Sequence, residues 1–318
     1  MHMSDALVSP PVAIGAGILS SSLLVWAARK TKNHHRPDIV PLMGVMGAFV
    51  FAAQMINFTI PGTGSSGHLI GGILLSAILG PWCGFITLSS ILIVQCLIFA
   101  DGGLLALGCN ILNMAATSCL VAYPLVYNRI VGKSINSRKI ITGSVLASLT
   151  ALLLGAFAVT LETELSGITA LPFSTFLSFM IPIHFVIGII EGLVTASLLL
   201  FIASYRPKIL SSSVKIEGKS EKNKNNILLI FGVVTLVLAA SFSVIASEFP
   251  DGLEWAIGKV SSNPELLETE TPDTALIPDY QSSFSGIIGG VIVMVFLWGV
   301  STVIFSQIRK SSKKINEN

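Results

Sequence analysis

Residues 69–100 read LIGGILLSAILGPWCGFITLSSILIVQCLIFA, and the way they cross a membrane decides the topology of the whole chain. As one helix they would extend over about 48 Å at about 1.5 Å per residue, whereas a bilayer contains about 30 Å of hydrocarbon. Gly80-Pro81 lies near the middle, and proline interrupts helices. We therefore predict two short helices in this stretch.

Composition indicates a polytopic membrane protein. Hydrophobic residues make up 52% of the chain and charged residues 11%, whereas soluble domains have about 25% charged residues. Met1 is expected to remain on the mature protein, because the start lacks the basic region and cleavage site of a signal peptide and His2 is too large for removal of the initiator methionine. The other apolar stretches long enough to span are 10–28, 40–60, 103–126, 139–161, 173–204, 227–247 and 284–306.

Charge asymmetry favours the two-helix interpretation of 69–100, because cytoplasmic loops collect Lys and Arg. Nine spans, with the N-terminus outside and the C-terminus inside, place every Lys and Arg except Lys259 on the inner side. With a single span at 69–100, two of the basic loops would lie outside. The basic segments are RKTKNHHRPD, NRIVGKSINSRK, the linker 205–226 and the tail RKSSKK. The predicted fold is all-α, with nine spans, N-out and C-in.

The polar, charged linker divides the chain into two predicted domains. Residues 1–204 would form a seven-span transmembrane domain and 227–318 a two-span domain, joined by cytoplasmic residues 205–226. The outer loop of the second domain, 248–283, contains eight acidic residues and one lysine. Such a loop is expected to attract cations. The tendency of acidic residues to lie on the side opposite the basic inner loops explains their presence almost as well.

Nucleotide chemistry is not expected. GTGSSG at 62–67 matches a dinucleotide fingerprint but lacks a β-α-β context, so Gly62, Gly64 and Gly67 are interpreted as positions of positive φ or close backbone approach. Two GKS tripeptides lack the Walker A glycine five positions earlier. No set of catalytic residues with supporting context occurs, so we expect no enzyme, no cofactor and no nucleic-acid partner.

The first two residues can form a metal chelate. The amine of Met1, the backbone nitrogen of His2 and the His2 Nδ1 can close five- and six-membered rings on one ion, and His68, behind the glycine-rich loop, can add a fourth nitrogen. Four nitrogens in a plane suit Ni²⁺ and Cu²⁺, with Co²⁺ also compatible, whereas Zn²⁺ prefers tetrahedral sites. The alternative is that the histidine at position 2 is incidental.

Other polar residues in predicted spans allow two interpretations. Gln54, Asn57, Asn110 and Asn113 are possible second-shell groups that orient the ligating histidines, or they form ordinary helix–helix hydrogen bonds. His184 and Glu191 share a helix face, where a structural contact, either between His184 and Glu191 or between Glu191 and backbone, is favoured over a proton or substrate site. Gly188 and Gly192 bracket Glu191 as a close-packing motif. A stand-alone secondary carrier or channel using His184 and Glu191 is the alternative function.

Four separated blocks resemble one protein family. The first three are similar to the CbiM/NikM substrate-specificity component of energy-coupling factor (ECF) transporters for cobalt and nickel, and the fourth resembles the PDGL(E) segment of the two-span CbiN/NikN component. The blocks are MHMSDALVSPP at the start, LMGVMGAFVFAAQMINFTIPGTGSSGHLIGG at 42–72, FADGGLLALGCNILNMA at 99–115 and FPDGLEWAIGKV at 249–260.

The resemblance implies a fold, a site and partners. It implies a seven-helix S-component bundle fused to a two-helix unit in the plasma membrane of a prokaryote. Its metal ligands map onto the Met1 amine, the backbone nitrogen and ring of His2, and the ring of His68, with Ni²⁺ or Co²⁺ as transported substrate. A CbiQ/NikQ-like membrane scaffold and CbiO/NikO-like ATPases would be separate partners. Ala6 stands where many members have glycine, which puts the turn after the ligands in question.

Overall fold

The computed structural model describes residues 1–31, 39–132, 136–205, 210, 233, 247–263, 276–277 and 283–316. The helices are α1 (Pro10–Thr31), α2 (Ile39–Gln54), α3 (Gly72–Leu79), α4 (Pro81–Phe99), α5 (Leu107–Val131), α6 (Ser137–Ser166), α7 (Phe173–Tyr205), α8 (Gly252–Val260) and α9 (Ser283–Asn316). Within α5, residues Ile111–Tyr127 take the wider turns of a π-helix.

The predicted break at Gly80-Pro81 is confirmed. Gly80 has a φ of 85°, its N–H donates to the Ser76 carbonyl, and Pro81 opens α4. Proline suits the first helical position because its missing N–H has no intrahelical partner there. α3 has 8 residues, so it is about 12 Å long. A crossing at this point has to include the non-helical residues before it, which are tolerated at membrane depth where they are buried in protein.

Long apolar helices make this a multi-pass membrane protein. Six helices of the described part of the chain are long and apolar enough to span: α1, α4, α5, α6, α7 and the Ile287–Ile304 part of α9. α2 is apolar but shorter, with 16 residues. The predicted span 227–247 lies outside the described residues except for Val233 and Ser247, so the count of nine remains a prediction.

The predicted helical span 40–60 is wrong at its C-terminal end. α2 stops at Gln54, and residues Phe58–Ile60 and Ser65–Gly67 form an antiparallel hairpin, β1 and β2, in which Phe58 pairs with Gly67. Pro61 disfavours helical dihedrals at Ile60, and Thr59 and Ile60 are β-branched, which favours strand. Gly62 and Gly64 take positive φ in the turn. The hairpin is an exception to the predicted all-α fold.

Glycines set the close helix contacts. A Cβ at Gly192 would lie 2.5 Å from the Val145 Cα of α6, and one at Gly188 would lie 3.1 Å from the Leu149 Cα. The predicted close packing around Glu191 is therefore confirmed as the α6–α7 crossing. The C-terminal helix α9 packs on α2, where Met294 contacts Gly44. The C-terminal unit, residues 227–318, is thus in direct contact with the N-terminal unit, residues 1–204, through these two helices.

Candidate metal centre

The N-terminal segment enters the protein and is held by its backbone. The Met3 N–H donates to Asn110 Oδ1 (2.8 Å), and the Met3 carbonyl accepts from Asn110 Nδ2 (3.2 Å) and from the Gly103 N–H (2.9 Å). Asp5 Oδ1 accepts from the Leu105 N–H at 2.8 Å. Met1 and Met3 are 4% and 0% exposed. This anchoring fixes where the first two residues can point.

Ala6 fits the turn that follows. It lies in a 3₁₀ turn, Asp5–Leu7, and among the described residues Ala100 is the one non-glycine residue with positive φ. The turn therefore does not need the conformational freedom of glycine at position 6.

The Met1 amine meets the ring of His68. The ammonium donates to His68 Nε2 at 3.0 Å, and the side chains of Met1 and His68 are 3% and 8% exposed. In a square of nitrogens bound at about 2.0 Å, neighbouring nitrogens lie about 2.8 Å apart. The observed separation is therefore close to the edge of such a square.

The backbone fixes the tautomer of His68. The His68 Nδ1 lies 3.2 Å from the Leu69 carbonyl oxygen, which can only accept, so the ring proton is on Nδ1. Nε2 consequently presents a lone pair to the Met1 amine. β2 ends one residue earlier, at Gly67, where a Cβ would lie 2.7 Å from Ile187, so the strand that carries His68 is packed directly against α7.

His2 stacks on His68. The ring centroids are 5.2 Å apart with an interplanar angle of 26°. His2 Nε2 lies 3.3 Å from Gln95 Oε1, and His2 Nδ1 lies 3.4 Å from Asp101 Oδ1. Burial lowers the pKa of His2 to about 4, although the charge of Asp101 raises it. The His2 ring is therefore neutral at physiological pH, the form that binds metals.

Asp251 reaches the amine from the C-terminal unit. Its Oδ2 accepts from the Met1 ammonium at 2.5 Å and lies 3.7 Å from His68 Nε2. Its Oδ1 accepts from the Leu253 and Glu254 N–H groups at 2.8 and 2.9 Å and so caps α8. Burial alone would raise the pKa of Asp251, but the adjacent Met1 ammonium holds it well below its usual range.

The segment around Asp251 is held against the β1–β2 hairpin. The Ser66 N–H donates to the Pro250 carbonyl at 2.8 Å, and the Ser66 hydroxyl donates to the Phe249 carbonyl at 2.7 Å. The Trp255 indole N–H donates to the Thr63 carbonyl at 3.0 Å. Residues 249–255 therefore lie over the loop that carries His68 and cover the cluster of Met1, His2 and His68.

The four residues that were predicted to orient the ligating histidines lie in different places. Gln54 is linked to His2 through Gln95, whose Nε2 donates to Gln54 Oε1 at 3.0 Å. Asn110 binds the backbone of Met3, as described above. Asn113 donates to Glu162 Oε2 at 2.6 Å and to the Met3 sulfur at 3.5 Å. The carbonyl of Asn57 accepts from the Ser247 N–H at 2.8 Å, so its backbone contacts the C-terminal unit.

Sequence reasoning missed Gln95, Asp101 and Asp251. Asp251 was one acid among eight in a loop, yet Asp251 and Glu254 have the spacing of a capping box, and the structure contains that box. This signal locates an N-cap, although it does not show that the second carboxylate oxygen faces the amine. Gln95, within an apolar run, gave the weaker signal of a polar side chain in a spanning helix.

Glu191 contacts backbone, which is one of the two structural contacts predicted for it. Its Oε2 accepts from the Ile70 N–H at 2.9 Å and its Oε1 from the Gly71 N–H at 3.1 Å. The His184 Nδ1 donates to the Met180 carbonyl at 2.8 Å. Both carboxylate oxygens of Glu191 thus hold the segment after His68, at the start of α3.

The cluster offers nitrogen donors of mixed origin. In the described part of the chain, no three His, Cys, Asp or Glu side chains converge as a metal site. The nitrogen groups near one another here are the terminal amine, the His2 backbone nitrogen and the rings of His2 and His68. Such donors can bind a first-row divalent ion.

The chain matches two protein families in succession. Residues 2–209 match CbiM, described as a cobalt uptake substrate-specific transmembrane region, and residues 225–306 match the PDGLE domain.

Relatives cover nearly the whole chain. A protein of Archaeoglobus fulgidus, provisionally named fused nickel transport protein NikMN, is 30% identical and covers 92% of this chain and 96% of its own. The fused nickel transport protein NikMN of Rhodobacter capsulatus is 26% identical over 94% of this chain and 86% of its own. The crystal structure of a truncated transition metal transporter is 28% identical, with a TM-score of 0.57, and covers 64% of this chain and 99% of that one. The chain accordingly belongs to the CbiM family of cobalt uptake transmembrane proteins, with a PDGLE domain fused behind it.

Proposed function

We propose that this protein is the substrate-specificity component of an ATP-driven ECF-type transporter, and that it captures Ni²⁺ or Co²⁺ outside the cell. The observation that supports this proposal most directly is the convergence of the Met1 amine with His68 Nε2 at 3.0 Å, beside the stacked ring of His2. The amine, the His2 backbone nitrogen, the His2 Nδ1 and the His68 Nε2 are the proposed ligands. Nickel transport by the fused relatives supports this substrate class.

The donor set gives the site its selectivity. Deprotonating the His2 backbone nitrogen requires a strongly polarising ion. A planar arrangement of nitrogens suits Ni²⁺ and Cu²⁺ and is compatible with Co²⁺, whereas Zn²⁺ prefers tetrahedral sites. Ca²⁺ and Mg²⁺ prefer oxygen ligands. The proposed site therefore discriminates by ligand type first and by geometry second.

Transport would depend on other subunits. The sequence has no complete Walker A motif, so the energy is assigned to CbiO/NikO-like ATPases, which act through a CbiQ/NikQ-like scaffold. In this arrangement the chain has nine spans, with its N-terminus outside and its C-terminus inside. Residues 1–204 hold the site, 205–226 form a cytoplasmic linker, and 227–318 supply the segment that covers the site from outside.

A reconstitution experiment tests this function. Purified chain in liposomes is expected to bind Ni²⁺ and Co²⁺ at least about ten times more tightly than Zn²⁺ and to accumulate none of them, because no coupling subunits are present. Equilibrium binding with mass spectrometry of the metal, followed by uptake assays with and without the scaffold and ATPases in the presence of ATP, measures both properties. Sustained uptake by the chain alone would instead favour the stand-alone carrier.

Asp251 is proposed to be the counterion of the loaded site. A divalent ion bound to one deprotonated backbone nitrogen and three neutral nitrogens forms a complex with a net positive charge of one. An uncompensated buried charge is unfavourable. The bound ion keeps this charge permanently, so the loss of Asp251 should destabilise the loaded state.

Asp251→Asn is therefore expected to weaken nickel binding about 10- to 100-fold, which corresponds to about 1.4–2.8 kcal/mol. Asparagine caps helices about as well as aspartate, so the stability of α8 should be retained. Isothermal titration of the purified variant with Ni²⁺ measures the change. Glu248→Gln is the matched control, because Glu248 is exposed and carries the same charge in the same segment. Equal affinities in both variants would contradict a counterion role.

A further inference from the structure

Two glutamine side chains connect the His2 ring to a fixed backbone carbonyl. Gln54 Nε2 donates to the Ile70 carbonyl at 2.8 Å, and Gln95 Nε2 donates to Gln54 Oε1 at 3.0 Å. Gln95 Oε1 then faces His2 Nε2 at 3.3 Å. We call this series of hydrogen bonds the Gln54–Gln95 relay. Gln54 and Gln95 are 3% and 0% exposed, so water has little access to it.

The Ile70 carbonyl sets the direction of every hydrogen bond in the relay. A carbonyl oxygen can only accept, so Gln54 must turn its NH₂ group toward Ile70 and its oxygen toward Gln95. Gln95 must then donate to that oxygen and turn its own oxygen toward His2. The only group that can donate to this oxygen at His2 is Nε2–H, which leaves Nδ1 without a proton.

Glu191 clamps the peptide group from which the relay begins. The Ile70 carbonyl and the Gly71 N–H belong to one peptide unit, and that N–H donates to Glu191 Oε1 at 3.1 Å. The carbonyl therefore cannot rotate away from Gln54 without breaking a buried hydrogen bond, which is costly to leave unmade. This contact connects the buried carboxylate of α7 to the orientation of His2.

Asp101 favours the opposite tautomer. Its Oδ1 lies 3.4 Å from His2 Nδ1 and would accept a hydrogen bond if the proton were on that nitrogen. Such a proton would block the nitrogen that closes the six-membered chelate ring with the His2 backbone nitrogen. Gln95 and Asp101 therefore compete for the single proton of the neutral ring.

We propose that the Gln54–Gln95 relay is a positioning device that holds the His2 proton on Nε2 and keeps Nδ1 open for the incoming ion. This inference rests on the proposed function of Met1, His2 and His68 as the metal site. It assigns to Gln95 and Gln54 a role beyond helix–helix hydrogen bonding, because outer hydrogen bonds determine which histidine nitrogen can bind a metal.

The tautomer of His2 can be measured without metal. In detergent-solubilised protein labelled with ¹⁵N-histidine, long-range ¹⁵N–¹H correlation spectra distinguish the protonated from the bare ring nitrogen, and His2→Gln identifies the His2 signals by their loss. Wild-type protein is expected to carry the proton on Nε2. A proton on Nδ1 in the wild-type spectrum would overturn the proposal without the need for any variant.

Variants test whether Gln95 and Asp101 compete for the ring proton of His2. Gln95→Met keeps a side chain of similar length and replaces the amide oxygen with a much weaker acceptor, a thioether sulfur. It is expected to shift the proton toward Nδ1 and to weaken Ni²⁺ binding about 10- to 100-fold. Adding Asp101→Ala should return the proton to Nε2 and recover part of the affinity, a rescue that loss of packing alone would not produce. An unchanged tautomer and affinity in Gln95→Met would overturn the relay. A tautomer that shifts as expected in protein that binds no nickel would overturn the proposed function instead.

Discussion

A chain extended by even one residue before Met1 is expected to lose nickel and cobalt binding by at least about 1000-fold. The extension converts the amine into an amide, which removes one of four donors and its chelate ring. It also removes the charge that pairs with Asp251, in a position where the Met1 side chain is 3% exposed. Breaking such a buried pair on one side typically destabilises the folded protein by about 3–5 kcal/mol, an effect separate from the loss of a metal ligand. Equilibrium dialysis with radioactive ⁶³Ni²⁺ measures the loss.

The control is the same extension at the other end. A tag after residue 318 should leave the affinity unchanged, because it adds the same atoms far along the chain from the amine. Proteolytic removal of the N-terminal extension, leaving Met1 as the first residue, should restore binding. An extended chain that binds nickel as tightly as the C-terminally tagged one would place the metal site elsewhere.

Replacing either proposed ring ligand is expected to have the second largest effect. His68→Gln and His2→Gln should each weaken nickel binding about 100- to 1000-fold, because each removes one nitrogen from a planar set. Glutamine is preferred to alanine at position 2, since a small residue there would permit removal of Met1 and so change the terminus itself. The visible spectrum of the nickel complex, which reports planar nitrogen coordination, should be lost together with the affinity.

His184→Gln is the matched control for these two variants. His184 is a buried histidine whose ring donates to the Met180 carbonyl, and it is not a proposed ligand. Its replacement should leave the nickel spectrum intact. Loss of the spectrum in His184→Gln but not in His68→Gln would contradict the assigned ligands and would support a path through His184 and Glu191.

The sequence could predict the elements whose physical cause is local. The break at Gly80-Pro81 follows from proline chemistry and helix length, and close packing at Gly188 and Gly192 follows from their spacing. The hairpin before His68 was missed because apolarity continued through residues 55–60, and apolarity alone does not separate a buried strand from a helix end. β-branched residues ahead of Pro61 were the overlooked signal.

The proposed site was predictable only in part, for a different reason. The chelating geometry of Met1 and His2 lies within two residues and can be derived from bond connectivity. The approach of Asp251 depends on how two units pack across more than 180 positions of sequence, which no local pattern encodes. Gln95 is similar, because only its contact with Gln54 and His2 distinguishes it from an ordinary polar residue in a spanning helix.

The buried Met1 ammonium has a consequence for charge balance during loading. In the structure it donates to His68 Nε2 and Asp251 Oδ2, and the His2 backbone nitrogen carries its hydrogen. If both nitrogens bind an ion as proposed, two protons leave as one divalent cation enters. The exchange is then electroneutral, so the protein interior never has to accommodate two additional positive charges, and the occupied bundle presents to its surroundings the same net charge as the empty one.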